Sequence, residues 1–269
     1  MNAIPLNDSE FQQFQEWLHR TAGISLSAAK KPLVAGRLFK RLRHHQLSSY
    51  GDYFRLIMGS SGAAELQVAL DMLTTNETYF FREPKHFDFL RDKVLPTAAV
   101  GRSFRVWSAA CSSGEEPYSL AMTLADGLPS GTPWEIVASD ISTQVLAQAR
   151  SGHYPMARSR NLPHEQLVRH CLKGIGRQEG TFLVEKALRD RMQFLQVNLN
   201  ESLPNLGEFN VIFLRNVMIY FDMQTKRQVV ARMLPLLKPG GHLIVSHSES
   251  LNGVCESLQL VVPSIYRKP

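Results

Sequence analysis

The first 75 residues place apolar side chains at helical spacing and show no alternating stretch. Asn7, Asp8 and Ser9 offer N-caps, and Phe11, Phe14 and Leu18 then share a face. The same spacing predicts a helix over 31–46, with Pro32 at its start, a third from about Ser49 and a fourth from about Ala63. After Arg82 the texture changes. Short apolar runs at 103–110, 134–140, 192–197, 210–214, 242–247 and 258–266 read as strands. Helical patterns at 117–128, 142–150 and 225–237 lie between them. Such alternation implies a mostly parallel sheet with crossover helices. Residues 152–190 interrupt it, being polar with Gly174, Gly176 and Gly180 close together and one strand-like run at 181–184. That is too long for a plain connection and reads as an inserted subdomain.

The chain has 269 residues, which suits one large domain or two unequal ones. With 44 % apolar and 20 % charged residues it can bury a core, and wholesale disorder is excluded. Cys111, Cys171 and Cys255 are odd in number and form no CxxC pair, so neither a disulfide framework nor a metal site is expected. The N-terminus lacks a basic start with an apolar core, and no apolar run approaches the roughly 18 residues of a membrane span. A cytoplasmic protein without membrane insertion is expected. The net charge of +6 favours an acidic partner and does not choose between nucleic acid, anionic lipid and an acidic protein surface.

The first strand of the second half runs into Ser108-Ala109-Ala110-Cys111-Ser112-Ser113-Gly114, small residues that let a ligand approach the backbone. Glu115 and Glu116 follow at the start of a helix, where a pyrophosphate would be repelled and a cationic ligand accepted. S-adenosylmethionine, with a sulfonium and an amino group, fits. Asp140 ends the second strand, placed either to bind ribose hydroxyls or to cap the following helix. Lys238-Pro239-Gly240-Gly241, between a helix and a strand, is similar to the turn of class I methyltransferases.

Several segments together resemble the CheR family of chemoreceptor glutamate methyltransferases. They are Thr75-Asn76-Glu77-Thr78-Tyr79-Phe80-Phe81-Arg82-Glu83, Gly114-Glu115-Glu116-Pro117-Tyr118-Ser119, Arg215-Asn216-Val217-Met218-Ile219-Tyr220-Phe221, Leu237-Lys238-Pro239-Gly240-Gly241 and His247-Ser248-Glu249-Ser250. The resemblance covers nearly the whole chain. It implies a helical domain (1–73), a linker (74–84) and a class I S-adenosylmethionine-dependent, Rossmann-like methyltransferase domain (85–269) carrying an antiparallel β-subdomain (152–190). By resemblance, cofactor contacts fall on Asn76, Thr78, Arg82, Glu116, Asp140, Asn198, Leu199, Arg215 and Asn216, with Glu116 favoured over Glu115. The product would be S-adenosylhomocysteine. Arg82 is expected to orient the substrate carboxylate and Tyr220 to help close the site; the plainer readings are a salt bridge from Arg82 to Glu83 or Glu77, and a packed aromatic.

The stretch 30–45 holds Lys30, Lys31, Arg37, Lys40, Arg41 and Arg43 with no acid. On a helix Arg37, Lys40, Arg41, Arg43 and His44 share one side, with Val34, Leu38, Phe39 and Leu42 opposite. This is either a solvated face or a docking surface, and the resemblance supplies the acidic helical bundle of a chemoreceptor as partner. It also suggests that Gly174, Gly176, Arg177 and Gly180 grip a receptor C-terminal peptide added as a strand. A nucleic-acid amino-methyltransferase is disfavoured because no Asn/Asp-Pro-Pro-aromatic motif occurs, and a Rossmann oxidoreductase because GxGxxG is missing. A non-catalytic adaptor is disfavoured by Arg82, Tyr220 and the Gly114–Ser119 segment.

Overall fold

The computed structural model describes residues 4–60 and 62–269. The chain divides into two compact units: residues up to Thr75 with Tyr220–Lys226, and Asn76–Ile219 with Arg227–Pro269.

The first unit holds α1 (Asp8–Ala22), α2 (Lys31–His44), α3 (Tyr50–Met58) and α4 (Ala63–Leu73). Asn7 caps α1 reciprocally with Glu10, and Gly23 in the left-handed region ends it. The apolar faces meet in a core of Phe14, Trp17, Leu18, Val34, Leu38, Leu42, Tyr53, Ile57 and Leu70. Full burial of each large aliphatic or aromatic side chain contributes roughly 1.5–3 kcal/mol.

The polar face of α2 corrects the expectation of one continuous basic surface. Arg37 donates to the Leu73 and Thr74 carbonyls, each at 2.9 Å, and so closes the C-terminus of α4. Arg41 is held by Glu65 of α4, with Nε 2.7 Å from Oε1 and Nη2 2.5 Å from Oε2. Tyr53 also donates to Glu65, at 2.7 Å. The acid that the helix itself lacks arrives from another helix. Lys40 and Arg43 remain exposed and carry no ion pair among the described residues.

The second unit begins with α5 (Lys85–Phe89), which continues through a wider turn over Leu90–Val94. Its sheet has the order β6-β2-β1-β7-β8-β10-β9. The strands are β1 (Phe104–Ser108), β2 (Trp134–Asp140), β6 (Met192–Gln196), β7 (Phe209–Phe213), β8 (Leu237–Ile244), β9 (Gln259–Val262) and β10 (Ile265–Arg267). The first five named are parallel, and β10 and β9 close the sheet antiparallel. Near-continuous apolar runs such as Val211–Phe213 are buried on both faces, as a helix-covered parallel sheet requires. The helices α6 (Glu115–Gly127), α7 (Thr143–Ser151) and α10 (Met223–Met233) alternate with these strands. Order reverses at β1, flanked by β2 on one side and β7 on the other, so ligands are expected where the β1 and β7 strands end.

Two expectations are corrected. Lys238–Gly241 is not a helix-ending turn. α10 ends at Met233, and these four residues form an irregularity within β8, where pairing slips from Phe209↔Leu237 to Val211↔His242. Gly241 is required because a Cβ there would lie 2.9 Å from the Asn210 carbonyl oxygen. The run 258–266 is a hairpin, not one strand, since Pro263 lacks an N–H and Ser264 takes φ 67.

The inserted stretch forms a second sheet, β3-β5-β4, antiparallel throughout, from β3 (His153–Pro155), β4 (Cys171–Lys173) and β5 (Thr181–Val184). It also contains the helices α8 (His164–His170) and α9 (Lys186–Arg189), which the sequence pattern did not suggest. Tyr154 and Phe182 anchor the insertion, stacking on one another at 5.6 Å and meeting the ring of Phe80.

Candidate functional site

Four segments of the second unit converge where β1 and β7 end. The first is the linker. Phe80 is fully buried, and the Phe81 N–H donates to Ser119 Oγ at 2.9 Å. Phe81 and Glu83 adopt φ 53 and 58, on either side of Arg82. Left-handed backbone costs a non-glycine residue roughly 1–2 kcal/mol, so the surroundings must hold this bend. Arg82 is half-buried; its Nη1 donates to the Glu77 carbonyl at 2.7 Å and its guanidinium lies 5.6 Å from the Tyr79 ring centroid. Neither expected carboxylate bridge, to Glu77 or to Glu83, forms.

The second segment is the loop after β1. Ser112 Oγ donates to the Asn76 carbonyl at 2.9 Å, and the Ser112 N–H donates to Asp140 at 2.8 Å. Gly114 has φ 99, and a Cβ there would lie 2.7 Å from Tyr154 Oη and 2.9 Å from Ala149 Cβ. Glycine is therefore needed for both conformation and space. Glu115 is fully buried, accepts from Ser113 Oγ at 2.7 Å, and lies 3.3 Å from Arg158 of the insertion. Its Oε1 has no hydrogen-bond partner. Burial pushes its carboxyl up, against the pull of Ser113 and Arg158.

Asp140 is the third element. It does not cap α7, which Ser142 caps. Its carboxylate instead accepts from the Ser112 and Ser142 N–H groups at 2.8 and 2.9 Å, tying the ends of β1 and β2 together. Beyond β6, Asn198 orders its own turn through the Asn200 N–H at 3.0 Å and Glu201 at 2.9 Å. The Leu199 carbonyl takes Arg232 at 3.1 Å.

The fourth segment follows β7. Arg215 is buried, and its guanidinium is engaged by protein groups. Nη1 donates to Glu116 at 2.8 Å, and Nη2 reaches the Arg82 carbonyl and lies 3.3 Å from Glu83. Glu116 also accepts from Ser108 Oγ at 2.7 Å. Asn216 has φ 56 and reaches Glu83 through Nδ2 at 3.3 Å. Of the expected residues, Asn76, Arg82, Glu116, Asp140, Arg215 and Asn216 belong to this connected network. Thr78 joins it through its carbonyl, which accepts from Arg158 at 3.1 Å. Tyr220 belongs to the helical unit, where its carbonyl accepts from the Ser25 N–H at 2.8 Å.

Two further carboxylates, Glu83 and Glu249, lie within the segments that carry the family resemblance. Glu83 gathers Arg215, Asn216 and the His247 N–H, the last at 3.0 Å. Burial raises its carboxyl, but Arg215, the His247 N–H and Asn216 outweigh that and hold it below its ordinary value. Glu249 accepts from the N–H groups of Asn216 (3.0 Å), Ser246 (2.9 Å) and Ile219 (3.2 Å), fixing the loop after β7. His86 stands at helical spacing from Glu83, 3.4 Å away, and nothing in the local sequence signals the long-range roles of either acid. Candidate ligand atoms of Glu83, His86 and His247 lie within 4.8 Å of one another. The Arg215 guanidinium already neutralises this carboxylate, and burial with Arg215 nearby lowers the His86 imidazole to about 3. A further cation would meet that repulsion.

Among the described residues, no helix is long and apolar enough to cross a membrane. Residues 76–266 match the family model described as CheR methyltransferase, SAM binding domain, and residues 9–74 match CheR methyltransferase, all-alpha domain. The chain is 40 % identical to the chemotaxis protein methyltransferase of Salmonella typhimurium over 98 % of its own length and 91 % of that protein's. It is 42 % identical to chemotaxis protein methyltransferase 2 of Pseudomonas aeruginosa over 96 % and 92 %. A helical unit, a strand-reversal site lined by carboxylates and these matches over nearly the full length agree: the chain belongs to the CheR methyltransferase family, with S-adenosylmethionine as cofactor.

Proposed function

We propose that this chain transfers a methyl group from S-adenosylmethionine to glutamate side chains of bacterial chemoreceptors, giving methyl esters. The observation that carries the reading is the charge layout. Carboxylates (Glu115, Glu116, Asp140) gather around the loop after β1, while the Arg82 guanidinium donates to a backbone carbonyl through Nη1 and faces an aromatic ring. The donor set fits a cationic, phosphate-free cofactor: acids stand at the start of α6, and one buried Glu115 oxygen accepts no hydrogen bond and lies 3.3 Å from Arg158.

When bound, the cofactor supplies an electrophilic methyl group. Asp140 would hold the ribose hydroxyls, Glu116 the amino group, and Asn198–Leu199 the adenine edge. The backbone of Asn76 and Thr78 would close over it, with Arg215 and Asn216 supporting the floor. A glutamate has a pKa of about 4.3 and is already an anion at neutral pH, so the chemistry needs alignment and exclusion of water rather than a general base. Arg82 would hold the attacking carboxylate by two hydrogen bonds. Because charge is partly neutralised in the transition state, a clamp stronger than needed for positioning would slow turnover.

Lys40 and Arg43 are exposed cations on α2 open to an acidic receptor helix, whereas Arg37 and Arg41 are engaged by the end of α4 and by Glu65. In the insertion, β4 is an edge strand with Leu172 and Ile175 exposed beside it. Gly174 allows the adjacent turn, since a Cβ would lie 1.9 Å from the Gln178 carbonyl oxygen, and Gly176 and Gly180 take φ 57 and 80. These glycines and Arg177 would frame a receptor C-terminal peptide pairing with that edge.

The test is methyl incorporation from labelled S-adenosylmethionine into chemoreceptor cytoplasmic fragments, with and without their C-terminal peptides. Base-labile label on the fragment is expected, and weaker labelling without the peptide. Tight cofactor binding with no incorporation would favour an adaptor or a different substrate.

A further inference from the structure

We propose that Glu83 is a positioning residue for methyl transfer, acting on Arg82 through Arg215. This rests on the reading of Arg82 as the group that orients the substrate carboxylate. Glu83 cannot reach the substrate side itself, because its oxygens are taken. One approaches Arg215 Nη2 at 3.3 Å and accepts from the His247 N–H at 3.0 Å; the other accepts from Asn216 Nδ2 at 3.3 Å. Arg215 in turn donates to the Arg82 carbonyl and to Glu116. One guanidinium therefore grips the backbone of Arg82 and both flanking carboxylates.

The grip matters because of the backbone it restrains. Phe81 and Glu83 both sit in the left-handed region, and the residue between them is Arg82. Phe81 is fixed by Ser119 and by its ring against Phe87 at 5.1 Å. Glu83 is fixed by its side chain and by its carbonyl, which accepts from the His86 N–H at 3.1 Å; loss of the side-chain anchor leaves that one bond to hold the second half of the bend, which relaxes and swings Arg82. A misplacement of about 1 Å in a near-attack arrangement can lower turnover roughly a hundredfold. Behind Glu83, buried His86 holds Ser264 Oγ at 2.7 Å, and its ring packs on His247 at 4.5 Å, which keeps the His247 backbone in reach.

Glu83→Gln tests this. Glutamine offers one acceptor oxygen to donors that now share two, and its amide turns a donor toward Arg215 or His247. Turnover on receptor fragments is expected to fall about 10- to 100-fold, with the cofactor Kd changed less than about threefold. In an Arg82→Ala background the same substitution is expected to change turnover less than about threefold, because the group it positions is gone. Multiplicative losses would overturn the proposal. A second readout needs no substrate: the Arg82 Nη1–H resonance, whose proton the Glu77 carbonyl holds and which is identified by its loss in Arg82→Lys, is expected to exchange with water about tenfold faster in Glu83→Gln. Unchanged exchange would also overturn it. If the wild type transfers no methyl to any receptor fragment, the substrate reading fails and the resonance alone decides the role of Glu83. If Glu83→Gln does not fold, Glu83→Asp, which keeps the charge on a shorter arm, carries the same comparisons.

Discussion

Replacing Glu65 by glutamine removes the charge at the centre of the helical unit. Glu65 accepts from Arg41 and Tyr53 and lies 3.1 Å from His45, with its side chain only 12 % exposed. Burial alone would raise its carboxyl; the bonds from Arg41, Tyr53 and His45 outweigh burial and bring it from 4.5 down to about 2. At about 1.4 kcal/mol per tenfold, that difference is roughly 3 kcal/mol, and the 22 % exposure of Arg41 admits enough solvent to reduce it to about 2–3 kcal/mol. The sign follows from the lowered folded value. The stabilisation is fully present above the unfolded carboxyl's 4.5 and is lost as pH falls toward 2, because only the unfolded chain takes up the proton in between. Urea unfolding of the wild type and Glu65→Gln, from about pH 7 to about pH 3, measures it. The expected gap is about 2–3 kcal/mol near neutrality, shrinking steadily below about pH 4.5. A gap that stays constant with pH, or no gap at all, would refute the argument. The outcome also sorts the cations of α2: Arg41→Ala should cost stability, whereas Lys40→Ala with Arg43→Ala should leave stability alone and raise KM for receptor fragments.

Two further outcomes follow from the catalytic unit. Arg82→Ala should lower turnover by about a hundredfold or more while the cofactor Kd, measured by calorimetry, changes less than about threefold; equal losses in both would remove Arg82 from the substrate side. Gly114→Ala should destabilise the unit by about 2–4 kcal/mol and weaken cofactor binding, because the added Cβ meets Tyr154 and Ala149 and the φ of 99 is strained for any side chain. An unshifted thermal transition would refute that clash.

Much of the architecture was legible along the chain, because helices and strands declare themselves over spans shorter than their own length. The spacing of Phe11, Phe14 and Leu18 needs only one helix face, and the apolar run before Leu214 needs only burial on both sides. The small residues after β1, the acids of α6 and the position of Asp140 pointed to a cationic ligand for local reasons. What the sequence did not determine depends on pairing between distant segments. Lys238–Gly241 reads as a turn from its composition, and only its partners β7 and β10 make it an irregular strand. Arg41 reads as part of a basic face because its acid lies on α4, and the ion pairs of Arg215 with Glu83 and Glu116 join segments far apart in sequence. Charges act over a few ångströms of space, not along the chain, so which of them are spent inside the protein was decided by tertiary structure alone.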